Sequence, residues 1–295
     1  VAAHLRGIDS FNPQDQGVAM ALQGGVTTVG VGPGSANIIG GQMAFIKMHG
    51  EDVSDMIIKA PCAMKMALGE NPKSAYGLGK KMPQTRMASA FMLRDALTKA
   101  KLYMEKKEKG GDPAYDAKSE ALIPVLKGEL IAHIHCHRCD DILTAIRVLK
   151  EFNVRFAIVH ATDGVRAARQ IKESGAIPIV GPVLSGSSKP ETANRSLKTA
   201  GILYSHGIEV ALTTDHPVGP LQHLNISAAV CAREGLPVDA AIRAITINAA
   251  KAAEVDNMVG SIKVCKHADI VVWNGHPFEF MSKTKAVFIE GKRVK

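Results

Sequence analysis

Short apolar segments alternate with amphipathic helical patterns through the central and later parts of the chain. The predicted strands span residues 131–137, 154–159, 177–180 and 208–213, and the helical patterns fall between and after them. Buried strands joined by helices pair in parallel with right-handed crossovers, because each helix returns the chain to the edge where the strand began. The pattern predicts an α/β fold, either a doubly wound sheet or a (β/α)₈ barrel.

The first of these strands carries His133, His135 and His137 on alternate residues. Successive side chains of a strand point to opposite faces, so the imidazoles share one face while Ile134 and Cys136 lie on the other. Every polar ring on a buried strand needs a hydrogen-bond partner, and histidine is the commonest metal ligand. The spacing therefore favours a metal or catalytic site over three core histidines.

Polar residues also end other predicted strands. His160 ends the second strand, Asp215 follows the fourth, and Glu70 follows an apolar segment at residues 63–68. The carboxyl ends of barrel strands meet at one mouth, where the active sites of TIM barrels lie. This gathering of polar groups favours the barrel over the doubly wound sheet.

Composition limits the classes of function. Apolar residues make up 46% and charged residues 22% of the 295 residues, as in a soluble globular enzyme. The net charge is +8, but the lysines of residues 99–109 are mixed with glutamates, so no nucleic-acid partner is expected. Neither a signal peptide nor a run of 18 apolar residues is found, so no membrane association is expected. Five irregularly spaced cysteines favour a reducing, cytoplasmic location.

Two further motifs are interpreted as incidental. Cys136 and Cys139 form a C-x-x-C, but Cys136 faces away from the histidines and no second C-x-x-C completes a zinc site. Glycines at residues 32–41 resemble a phosphate-binding loop, yet the Lys-Ser/Thr of a P-loop is missing. We expect neither a redox centre nor a phosphate site.

Five segments together resemble the metal-dependent amidohydrolase superfamily, specifically its imidazolonepropionase-like branch. They are GVTTVGVGPGSANIIGGQMAFIK, MKMALGENPK, HIHCHRCDDILTAI with AIVHATDG, ALTTDHPVGP, and ITINAAKAAEVDNMVGSIKVCKHADIVVWNG. The resemblance covers nearly the whole chain. It implies a TIM (β/α)₈-type hydrolase barrel over residues 1–255 and a small β-sandwich portion over residues 256–295, where short strands are predicted at 261–262, 270–273 and 286–289.

The same resemblance assigns roles to individual residues. His135 would be the metal ligand of the fifth barrel strand and His160 that of the sixth, while Asp215 on the eighth would be both a metal ligand and the catalytic carboxylate. Lys65, in carbamylated form, or Glu70 would supply the bridging anion. The cofactor would be one or two divalent ions, zinc being the ion expected.

Two further histidines are candidate substrate contacts. His137 would lie one step further out than the metal ligands, as a substrate contact or as a partner of a ligand, and His216 follows the catalytic carboxylate directly. Residues 73–125 are polar and basic, and we expect helices there that pass over the barrel mouth.

One feature departs from the family pattern. The family opens its barrel with an H-x-H, whereas this chain begins VAAHLRG and His4 has no histidine two residues away. The resemblance therefore implies an N-terminally incomplete chain or a divergent copy. A two-metal site would then lack two ligands and the barrel its first strand, which puts the activity of the chain in doubt.

The predicted function is hydrolysis of amide or cyclic-amide C–N bonds of a small-molecule substrate. Asp215 would act as general base and then as general acid. Two alternatives stay open: a non-catalytic remnant that only binds ligand, and a metal-dependent deaminase. Assembly into a homo-oligomer is also left open.

Overall fold

The main sheet of the computed structural model has seven strands in the order β1-β2-β3-β4-β5-β6-β7. The structure describes residues 1–77, 79–187 and 189–295. The first three strands pair antiparallel, and β3 to β7 pair in parallel. Their bounds are β1 Thr28–Val31, β2 Ile39–Lys47, β3 Ile57–Ala67, β4 Ile131–Cys136, β5 Phe156–His160, β6 Pro178–Val180 and β7 Ala211–Leu212. The predicted α/β fold is confirmed.

Helices connect the parallel strands and cover the sheet. Apolar residues of α6 at helical spacing, Ile142, Ile146 and Leu149, are buried against the main core. Gly175, in the left-handed conformation, ends α7 as its sequence predicts. The helices are α1 Gln16–Gln23, α2 Val53–Met56, α3 Glu70–Gly77, α4 Arg86–Glu108, α5 Ala117–Leu126, α6 Cys139–Glu151, α7 Ala168–Ser174, α8 Thr199–Ser205, α9 Leu224–Arg233, α10 Val238–Ala244 and α11 Ile247–Ala252.

The parallel register brings the carboxyl ends of β3 to β7 to one edge of the sheet. Ala67 pairs with His135, and His160 pairs with both Cys136 and Val180. The polar residues at these strand ends therefore lie along the same edge, as the sequence predicts.

The sheet is a curled half-barrel, and a closed eight-stranded barrel is not confirmed. In the described part of the chain, β1 and β7 are the edge strands. The segment predicted as a strand at residues 208–213 pairs only at Ala211–Leu212, because its neighbour β6 has just three residues. The helix before β7, α8, covers only Thr199–Ser205.

A second, antiparallel sheet follows the last helix. Its order is β10-β9-β8, with β8 at Ile270–Trp273, β9 at Thr284–Ile289 and β10 at Lys292–Arg293. The strands predicted at 270–273 and 286–289 are confirmed, whereas residues 261–262 form no strand and pair with none of the described residues. A buried ion pair between Lys47 of β2 and Asp269 joins the two sheets. No helix in the described ranges combines the length and apolarity that a membrane crossing requires.

Candidate metal centre

Three buried imidazoles, those of His135, His137 and His160, meet at the carboxyl ends of β4 and β5. One ring nitrogen from each could bind an ion, and these nitrogens lie within 4.8 Å of one another. The ring centroids are 4.4 to 4.8 Å apart. His137 thus lies in the same cluster as the two predicted ligands.

Hydrogen bonds hold the rings from outside the cluster. Nδ1 of His160 donates to the carbonyl oxygen of Gly181 at 2.6 Å, which leaves Nε2 with a free lone pair. Nδ1 of His137 lies 2.7 Å from Oγ1 of Thr162. Such a bond to the second nitrogen is what orients a metal-binding histidine.

His135 is held differently. Its Nε2 lies 3.3 Å from Nδ2 of Asn71, whose Oδ1 accepts a hydrogen bond from Lys189. Its Nδ1 is buried and has no hydrogen-bond partner among the described residues. A buried polar atom without a partner is costly, so the described residues alone do not satisfy this ring.

The electrostatic environment keeps the rings neutral. Burial lowers the pKa of His137 to about 4, and it lowers the pKa values of His135 and His160 well below the ordinary value. For His135 and His160, the nearby Lys65 and a neighbouring imidazole lower the pKa further. A metal ion binds the neutral imidazole. Three neutral imidazoles side by side therefore fit a divalent ion such as zinc.

His133 shares the face of β4 but not the cluster. Its Nε2 contacts the carbonyl oxygen of Ala252 at 2.6 Å, near the end of α11. Burial lowers the pKa of His133 to about 4. This histidine is thus satisfied within the core.

Lys65 and Asp215 lie close enough to affect each other. Burial lowers the pKa of Lys65, and the charge of Asp215 opposes that change. Burial likewise raises the pKa of Asp215, against the charges of Lys65, Lys189 and Arg195. The structure thus places the predicted catalytic carboxylate in a half-buried, positively charged pocket.

The two remaining predicted residues are placed differently. Glu70 is the half-buried first residue of α3, and its backbone N–H, rather than its carboxylate, makes the recorded hydrogen bond. His216 is exposed and lies beside Gly17 of α1. Neither side chain joins the cluster of three imidazoles.

The backbone is strained at the ends of two strands. His160, Ala161 and Asp215 have φ values of 79°, 46° and 53°. A left-handed conformation costs a non-glycine residue of order 1–3 kcal/mol and persists where the surroundings enforce it, often at functional sites. Two of the predicted site residues are held in this way.

Glu191 also lies at this site and was not predicted from the sequence. This residue lies in a short 3₁₀ turn, Pro190–Thr192, in the loop after β6, and it is 2% exposed. Its Oε1 is 3.9 Å from Nε2 of His135 and 3.9 Å from Nε2 of His137. An acidic residue in the loop after a buried strand is the available signal, but the expectation for strand ends covers only strand-terminal residues.

Comparison with known proteins places this centre in a family. The Amidohydrolase family model matches residues 117–294. An amidohydrolase of Thermotoga maritima of known structure is 41% identical, with a TM-score of 0.97 over 100% of this chain and 78% of that one.

Curated relatives agree with this match. Amidohydrolase tasK of Hapsidospora irregularis is 28% identical over 97% of this chain, and an imidazolonepropionase of Treponema denticola is 24% identical over 68%. The chain spans 32% of the first relative's length and 46% of the second's. The family match, the close structural neighbour and the histidine cluster agree: the chain belongs to the amidohydrolase family, within the metal-dependent amidohydrolase superfamily.

Proposed function

We propose that the protein hydrolyses amide or cyclic-amide C–N bonds of a small molecule with a divalent ion, zinc being the ion we expect. The observation that carries the proposal is the cluster of three buried imidazoles at neighbouring strand ends. Membership in the amidohydrolase family supports a hydrolase. The likeness to imidazolonepropionases supports the cyclic-amide class.

His135 and His160 are the proposed ligands, as the sequence predicts. We assign His137 to the ion rather than to the substrate, because its ring lies 4.4 Å from that of His160. When bound, a divalent ion would lower the pKa of a coordinated water and polarise the substrate carbonyl. His216, which is exposed and follows Asp215 directly, stays the proposed substrate contact.

Asp215 is the proposed proton acceptor. Burial raises the pKa of its carboxyl group and so makes it a stronger base than an exposed aspartate. The surrounding cations, Lys65 among them, favour its ionised form. A carboxylate oxygen of Asp215 would accept the proton of the attacking water and pass it to the leaving nitrogen.

Lys65 and Glu70 are proposed as further anionic groups if a second ion binds. Burial lowers the pKa of Lys65 and so increases the neutral amine at pH 7, the form that a carbamate requires. Residues 1–255 would form the catalytic part and residues 256–295 the β-sandwich portion.

The test combines metal analysis with a substrate panel. After dialysis against zinc and removal of the free ion, mass spectrometry should detect zinc bound to the protein. The zinc-loaded protein should open cyclic amides or cleave acyclic amides. The exposed His49 offers a matched control: His49→Ala should retain the ion. Failure of the wild-type protein to retain zinc would contradict the proposal, and release of ammonia without cleavage of an amide would indicate a deaminase.

A further inference from the structure

Glu191 is a buried carboxylate, and only one of its two oxygens has a hydrogen-bond partner among the described residues. Oε2 accepts a hydrogen bond of 2.8 Å from the backbone N–H of Glu70. Oε1 is buried and has no hydrogen-bond partner in the part of the chain that the structure describes. Burying a carboxylate oxygen without a partner is unfavourable. A cationic group at Oε1 would remove this cost.

Oε1 points to the space that the imidazoles share. Its two 3.9 Å separations, to Nε2 of His135 and to Nε2 of His137, are too long for hydrogen bonds. Two ligands of one zinc ion, each bound at about 2.0–2.2 Å, can be up to about 4.2 Å apart. The separations therefore fit an ion between the groups better than direct contact.

We propose that Glu191 is the anionic ligand of the metal centre and binds, through Oε1, the ion that the three imidazoles hold. The inference rests on the proposed function and adds a residue to it. A metal-bound imidazole is neutral, so a buried carboxylate would offset one of the two positive charges of a divalent ion.

The surrounding structure positions this carboxylate. A Cβ at Gly69, which has a φ of 87°, would lie 2.6 Å from Oε2 of Glu191, so only glycine allows this approach. On the other side, the hydroxyl of Thr192 donates to the carbonyl oxygen of Lys189 at 2.8 Å and closes the turn. The loop is thus built to hold Glu191 against the end of β4.

The opposing lysine does not account for the buried charge. Nζ of Lys189 lies 3.9 Å from Oε1 of Glu191, beyond hydrogen-bond distance, and its side chain is 39% exposed. Its ammonium group instead donates to Oδ1 of Asn71. Asn71 is thereby oriented with Nδ2 toward Nε2 of His135, so Nε2 is the unprotonated nitrogen and would bind an ion only in place of this hydrogen bond.

The experiment measures zinc affinity by competition with a chromogenic chelator. Glu191→Gln keeps the size of the side chain, and its carbonyl oxygen can replace Oε2 as acceptor for the N–H of Glu70. The amide nitrogen, which binds no metal, then faces the imidazoles. We expect the affinity to fall by more than about 100-fold, because groups that only orient a ligand contribute about 10–100-fold. The absorption spectrum of the Co²⁺-loaded protein should change as well.

Asp141→Asn is the matched control. Asp141 is also a buried carboxylate near Gly69, but Arg86 holds it through hydrogen bonds of 3.1 Å. Its zinc affinity should stay within about 10-fold of the wild type, below the range for groups that orient a ligand. A loss of 100-fold or less in folded Glu191→Gln would overturn the proposal. Equal zinc affinity in wild type and His135→Ala would instead refute the proposed function itself.

Glu191→Asp provides a second variant in case the glutamine variant does not fold. It keeps the charge but withdraws the carboxylate by one methylene group. We expect weaker zinc binding and an unchanged circular dichroism spectrum. Unchanged zinc affinity in the folded Glu191→Asp protein would also overturn the proposal.

Discussion

His133 and His135 lie on the same face of β4 and are both buried, yet their surroundings differ. His133 meets a backbone carbonyl oxygen near the end of α11, which satisfies one ring nitrogen within the core. His135 meets two other imidazoles and the carboxylate of Glu191, and its Nδ1 has no partner in the described residues. Alternation along a strand thus sets the face of a side chain, while neighbouring elements set its role.

The largest expected effect is on zinc affinity, which should depend on His135 but not on His133. His135→Ala and His160→Ala should each lower zinc affinity by more than about 100-fold, because each removes a nitrogen of the cluster. His133→Ala should leave the zinc content of the folded protein unchanged. Chelator competition and elemental analysis give the values, and loss of zinc from His133→Ala would break the comparison.

For the stability of the metal-free protein, we expect His133 to matter more than His135. His133→Ala removes a buried ring and its bond to the carbonyl oxygen of Ala252, so the free energy of unfolding should fall by about 3 kcal/mol. Urea unfolding of metal-free protein measures this. His135→Ala, which removes a ring with an unpartnered nitrogen, should cost less under the same conditions. The reverse ranking would mean that the core role belongs to His135.

Asp215 tests the chemistry of the site apart from its metal. Asp215→Asn should lower turnover by roughly 100-fold or more, the scale of general acid–base catalysis, since an amide cannot accept the proton. Zinc content and melting temperature should change little. No helix cap is lost, because the following 3₁₀ turn starts after Pro220 and has no side-chain cap. Turnover close to that of the wild type would exclude Asp215 as the proton acceptor.

The smallest effect is expected on the opposite face of β4. Cys136 is buried with its sulfur 3.8 Å from the carbonyl oxygen of Asp141, on the side away from the imidazoles. The double variant Cys136→Ala, Cys139→Ser should cost about 1 kcal/mol of stability and leave zinc binding intact. Reduced zinc content in this variant would show that the cysteines contribute to the site.

Local patterns predicted the parts of the fold that depend on local sequence. The strands of His135 and His160 and the end of α7 at Gly175 follow from apolar runs and a turn residue. The short β7 could not be predicted, because its length depends on the three-residue partner β6. A closed barrel was expected from the family and is not confirmed.

The site residues likewise include some that the sequence predicts and others that it does not. The sequence placed His135 and His160 at strand ends, and the structure brings their rings to 4.5 Å. The sequence could not show that His133 lies outside the cluster and His137 within it. That difference depends on the carbonyl oxygen of Ala252, near the end of α11, and on the hydroxyl of Thr162 after β5. Glu191 was missed because its approach depends on the conformation of a loop and on Gly69. The roles of Lys65, Glu70 and His216 stay predictions.

Anomalous diffraction at the zinc edge, from crystals of the zinc-loaded protein, tests the central claim most directly. The account predicts one strong peak among the rings of His135, His137 and His160, within about 2.0–2.2 Å of ligand atoms that include Oε1 of Glu191. A peak beside His133, or zinc bound only at surface residues, would contradict it.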